Sequence, residues 1–106
     1  MTWHTVASLK EVPLGESLRV TVDGEPVALF NLNGTIHATH NRCTHGKASL
    51  ADGYVDGDCV ECPLHEGVFH IPTGKAMSGP VSVALRVYPV KVDDDGYIHV
   101  DDAPAD

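Results

Sequence analysis

The amino-acid sequence predicts an all-β protein: a small antiparallel sandwich or barrel scaffold with a loop-rich subdomain inserted over about residues 40–71. Three observations carry this. Fourteen valines, three isoleucines and seven threonines supply β-branched side chains, which are stiff in a helix and pack well on a pleated surface. Ten glycines and seven prolines are spread along the chain and leave little room for a long helix. Asn33-Gly34 separates two strand-like runs, a strong hairpin signal because both residues accept the positive φ of a tight turn.

The strands follow in order. Trp3 to Ala7 is the first. Ser17 to Val22 alternates polar and apolar residues and ends at Asp23-Gly24. Pro26 to Leu32 and Thr35 to Thr39 flank the Asn33-Gly34 turn. Val55 and Cys59-Val60 are short strands in a Gly/Asp-rich stretch, and Gly67 to Ile71 is stopped by Pro72-Thr73-Gly74. Ala84 to Val92 turns at Asp93 to Gly96 and returns as Tyr97 to Val100, leaving Asp101 to Asp106 as a frayed acidic tail. Many short strands at this spacing suit a sandwich or barrel.

At 106 residues the chain has the length of one domain, 1–106. Fifteen acids against seven bases give a net charge of −8, which repels phosphate backbones and argues against nucleic-acid binding. No apolar run approaches the ~20 residues of a membrane span, and Met1-Thr2-Trp3-His4 does not open a signal peptide. The expected location is the reducing cytoplasm, and three cysteines cannot form a full disulfide framework.

Cysteine and histidine instead lie together twice, as Cys43-Thr44-His45 and Cys62-Pro63-Leu64-His65. Two such loops brought together offer two thiolates and two imidazoles. Zinc accepts that set tetrahedrally, but structural zinc sites usually pair like ligands within each half. The mixed halves fit a two-iron cluster better, with thiolates on one iron and imidazoles on the other. Gly46 and Gly67 allow backbone to approach a bound centre.

Cys43-Thr44-His45-Gly46 and Cys62-Pro63-Leu64-His65-Glu66-Gly67-Val68-Phe69 resemble the Rieske [2Fe–2S] signature in their C-T-H and C-P-x-H-x-G-x-F runs. Leu50 to Tyr54 and Thr73-Gly74 extend the likeness, and the short length resembles the stand-alone Rieske ferredoxins of bacterial aromatic-ring oxygenase systems. The resemblance implies a Rieske-type fold and one [2Fe–2S] cluster, with Cys43 and Cys62 on the inner iron and His45 and His65 on the outer. It implies a monomeric electron carrier, not an enzyme, working between a flavin-containing NAD(P)H-dependent ferredoxin reductase and a terminal aromatic-ring oxygenase. His45 and His65 would be the electron entry and exit points, with Arg42, Lys47 and Glu66 on the rim.

Rieske proteins of respiratory complexes add a disulfide whose cysteines would fall on Ala48 and Leu64 here, so this chain cannot form it. They also place a serine and a tyrosine hydroxyl near the cluster, where this sequence has Gly67 and Phe69. Without those donors, the expected potential lies toward the low end of the Rieske range of roughly −150 to +300 mV. Alternatives are the small Rieske subunit of another reductase, such as nitrite reductase, and a zinc-stabilised interaction module.

The other candidates read more plainly. Cys59 is expected to be a small buried strand residue. His37 and His99 are expected at the surface, and His40 and His70 in ordinary roles. Ser78-Gly79-Pro80 resembles the proline-bearing loop that covers the cluster in Rieske folds. Pro72 to Lys75 and Asp93 to Asp95 are turns.

Overall fold

A computed structural model describes residues 2–44, 48–64, 67–78 and 83–103. The strands within them are β1 (Trp3–Ser8), β2 (Ser17–Val22), β3 (Glu25–Leu32), β4 (Thr35–His40), β5 (Tyr54–Asp56), β6 (Cys59–Glu61), β7 (Val68–His70), β8 (Ala76–Ser78), β9 (Val87–Tyr88), β10 (Val90–Val92) and β11 (Tyr97–Asp101). They form three antiparallel sheets, ordered β1-β11-β10, β2-β3-β4-β9 and β5-β6-β7-β8. The expected all-β architecture is what the chain adopts.

Two tight turns set the register of the second sheet. Asp23 and Gly24 have φ of 51° and 80°, and Asn33 and Gly34 have 55° and 95°. Positive φ at both central residues matches the right-handed twist of the flanking strands. Val22 therefore faces Glu25, and Leu32 faces Thr35.

β3 lies between β2 and β4 and explains the apolar run of the sequence. Val27 and Leu29 enter one buried cluster, with Val12, Val22, Ile36, Tyr88, Ile98 and Val100. Ala28, Phe30 and Leu32 enter the other, with Leu50, Val60, Phe69, Ile71 and Leu85. Successive strand residues point to opposite faces, so a strand covered on both sides must be apolar throughout.

Several expectations are corrected. Ala84 to Val92 is not one strand. β9 pairs with β4 and β10 pairs with β11, and Pro89 separates them. Proline lacks a ladder donor, and here the chain changes sheet at that residue. The inserted sheet does not end at Ile71, because β8 extends it to Ser78. β8 follows a turn in which the Gly74 N–H donates to His70 O (2.7 Å) and Leu85 N–H to Gly74 O (2.7 Å). Short 3-10 turns at Leu9–Glu11 and Leu50–Asp52 carried no apolar period and were not expected.

The acidic tail begins later than expected. Asp101 closes β11 and is buried, and Asp102 Oδ1 accepts the N–H of Thr2 at 3.0 Å. Residues 104–106 lie outside the described residues. Among the described residues, no helix is long and apolar enough to cross a membrane.

Candidate metal centre

The first loop is built from Asn41. Its side chain is buried, its Oδ1 accepts the Ala51 N–H (2.9 Å) and its Nδ2 donates to Ser49 Oγ (2.9 Å). Its backbone N–H donates to Pro26 O and its carbonyl accepts from Leu50. One residue thus binds both ends of the segment that leaves β4 and returns at Leu50. Sequence reasoning missed Asn41. The available signal was its place beside Arg42-Cys43, where an amide can satisfy loop backbone that a sheet no longer pairs.

Cys43 and Cys62 open loops that close in the same way. The Cys43 N–H donates to Ala48 O (3.0 Å), and the Cys62 N–H donates to Gly67 O (2.8 Å). Each bond reaches a carbonyl five residues on, although the histidines stand at different offsets. Both cysteine side chains are buried, at 1% and 2% exposure, and both belong to the core cluster that holds Leu50, Val60 and Phe69. No disulfide joins any of the three cysteines.

Two buried thiols in one apolar cluster are a fitting donor set for a metal that prefers thiolate. His45 and His65 lie outside the described residues, as do Gly46, Lys47, Glu66 and the Gly79-Pro80 part of the expected covering loop. The described end of that loop is tied to the first cysteine loop, since Thr44 Oγ1 donates to Val83 O at 2.8 Å. Leu64 and Val83 are exposed apolar residues, at 70% and 61%, beside these segments.

Of the remaining candidates, His40 meets the base of the first loop, its Nδ1 accepting the Arg42 N–H at 3.2 Å, and the others stand apart from both loops. Cys59 lies on β6 with its side chain half-buried rather than buried. It faces Asp56 and His70 across the strands, on the side of the sheet opposite to Val60 and Phe69. His70 Nδ1 lies 2.8 Å from Thr73 Oγ1 in the turn after β7. His37 and His99 are half-buried and not at the surface as expected. His99 bridges Thr5 Oγ1 (2.8 Å) and Asp93 Oδ2 (2.9 Å). Burial holds the His37 imidazole below its ordinary value, with Asp58 opposing and His70 adding to the shift. Burial does the same to His40, with Glu25 opposing.

The family described as the Rieske [2Fe-2S] domain matches residues 2–89. The chain belongs to that family. The match spans both cysteine loops, so the Rieske domain carries an iron–sulfur cluster as its bound group. The chain is similar to the biphenyl dioxygenase ferredoxin subunit of Pseudomonas sp. (strain KKS102), 48% identical over 88% of this chain and 86% of that protein. It is 45% identical to the ferredoxin component of the naphthalene 1,2-dioxygenase system of Pseudomonas aeruginosa, over 86% of this chain and 88% of that one. A chain in the complex of reduced oxygenase and oxidized ferredoxin of carbazole 1,9a-dioxygenase superimposes with a TM-score of 0.90 and 36% identity. That superposition covers 97% of this chain and 95% of the other.

Proposed function

We propose that this Rieske protein is a cytoplasmic one-electron carrier. It passes electrons from a flavin-containing, NAD(P)H-dependent reductase to a terminal aromatic-ring oxygenase. It acts as a single domain over residues 1–106, with Cys43, His45, Cys62 and His65 holding one [2Fe–2S] cluster. The observation that carries this reading is near-full-length similarity to ferredoxin components of two dioxygenase systems.

When bound, the cluster takes up and gives back one electron at a time. The chain's own residues position and shield it. Cys43 and Cys62 offer their sulfurs from a dry core. Their N–H groups, donating across the loop bases, fix the entry of each loop. Asn41 anchors the first loop to the 3-10 turn, and Thr44 fastens it to the segment that follows the covering loop. Leu64 and Val83 supply an apolar rim that a partner can cover briefly, as suits the small interfaces of electron-transfer pairs.

Metal analysis of the purified protein tests the site. About two irons and two acid-labile sulfides per chain are expected. Stoichiometric zinc without iron would overturn it. Reduction by NADH in the presence of a flavin reductase, followed by reoxidation on adding a terminal oxygenase, tests the role.

A further inference from the structure

The sequence has three arginines, Arg19, Arg42 and Arg86, far apart in the chain and all exposed. The fold gathers them. Arg19 on β2 and Arg42 at the base of the first cysteine loop line one shallow cleft with Asn41 and Ser49. Arg42 and Arg86 both act on His40, whose N–H donates to Arg86 O. Arg86 lies over the Tyr88 ring at 6.0 Å, three residues beyond the Val83 carbonyl that accepts from Thr44. Among the described residues none of the three is within ion-pair distance of a carboxylate, and Glu25 is the acid that acts on His40 and Arg86. His40 is held toward its neutral form by burial, so at neutral pH the band carries three arginine charges against the one of Glu25.

We infer that these arginines form a cationic docking band beside the cluster loops of a chain whose net charge is −8, and that the face of the redox partner that meets it is acidic. The inference rests on the electron-carrier reading and adds the partner's chemistry to it. The physical ground is screening. At ~0.1 M salt the Debye length is about 10 Å. Charges farther than that from the cluster are then muted, while those at the loop bases, the arginines and the Glu61 carboxylate beside Cys62 alike, are not. A partner approaching the cluster feels the local field rather than the net charge.

The test uses cluster-loaded, reduced protein and two one-electron oxidants of opposite charge, ferricyanide and hexaammineruthenium(III), each taking one electron. The ratio of their rates cancels a shift in potential, which acts on both. In R19E/R42E/R86E at ~0.1 M salt the anion-to-cation rate ratio should fall by about fivefold or more. Lys10→Glu, in the 3-10 turn whose Leu9 N–H donates to Gly96 O before β11, should leave it unchanged. Poly-L-glutamate, an acidic polymer without redox chemistry, should lower the anion-to-cation rate ratio on the native protein and not on the triple variant. An unchanged ratio, an equal effect of Lys10→Glu, or indifference to poly-L-glutamate overturns the inference. A native protein that cannot be loaded and reduced overturns the carrier reading itself.

Discussion

The core between the first two sheets and the core beneath the third are built differently. The first is closed by β2, β3 and β4, of six, eight and six residues, joined by two-residue turns, and its buried side chains are those of an ordinary apolar interior. The second is covered by four strands of three residues each, and two of its buried members are Cys43 and Cys62. Short strands contribute few ladder bonds and little apolar area, so this region has less to set against the entropy of ordering its loops. On the proposed ligand set, a metal tying Cys43 and Cys62 together would supply the missing free energy, because binding to a site absent from the unfolded chain is folding free energy. The contrast sets a scaffold that holds itself against a subdomain that the proposed cluster would complete.

The sharpest break of that contrast is removal of a ligand. Cys43→Ser, Cys62→Ser, His45→Ala and His65→Ala should each abolish or grossly reduce iron and sulfide content. Hydrogen exchange should then quicken across β5–β8 while β2–β4 keep their protection. Cys59→Ala should retain the cluster, and iron lost from it but kept in Cys62→Ser would reverse the assignment.

Core truncations come next. Phe69 and Ile98 are both fully buried, one in each cluster. Phe69→Ala should cost about 3–5 kcal/mol and Ile98→Ala about 2–5 kcal/mol in denaturant unfolding. Iron retention should distinguish them, falling for Phe69→Ala and holding for Ile98→Ala.

Two glycines give a smaller and cleaner pair. Gly53 has an ordinary negative φ of −80°, but a methyl group there would strike the carbonyl oxygen of Glu61. Gly34 has open space around it and a φ of +95°. Gly53→Ala should push β6 aside and cost about 1–3 kcal/mol with loss of iron. Gly34→Ala should cost about 1–2 kcal/mol from backbone strain alone and leave the metal in place.

The smallest effects are in pH. Burial lowers the His37 imidazole below 6.5, so the unfolded chain binds a proton that the folded chain resists. Stability should therefore be complete above that value and fall as pH drops below it, and His37→Gln should flatten the slope in urea titrations between about pH 7.5 and 5.5. The Asp93 carboxyl is lowered below 3.8 by its hydrogen bond with His99 and by the Tyr97 and Asp95 N–H groups. That contribution is present above the ordinary carboxyl value and is lost as pH falls through the lower folded one. His99→Leu should weaken it.

The sequence alone determined the β class, the hairpins at Asp23-Gly24 and Asn33-Gly34, and the presence of two cysteine–histidine loops. These are legible because turn chemistry, β-branching and ligand spacing are local properties of a few adjacent residues. β8 was not legible, because Ala76-Met77-Ser78 has no alternation strong enough to mark a strand and exists by pairing with β7. Nor was the break at Pro89 between β9 and β10, since proline says only that one ladder bond is missing, not which sheet follows. Asn41 went unread because its role is to satisfy backbone at Ala51 and Leu50. Tertiary structure alone decided that Cys43 and Cys62 share one dry core, that β3 is covered on both faces, and that Arg19, Arg42 and Arg86 converge. Each of these joins residues tens of positions apart, and such contacts follow from sheet pairing and packing rather than from any local pattern.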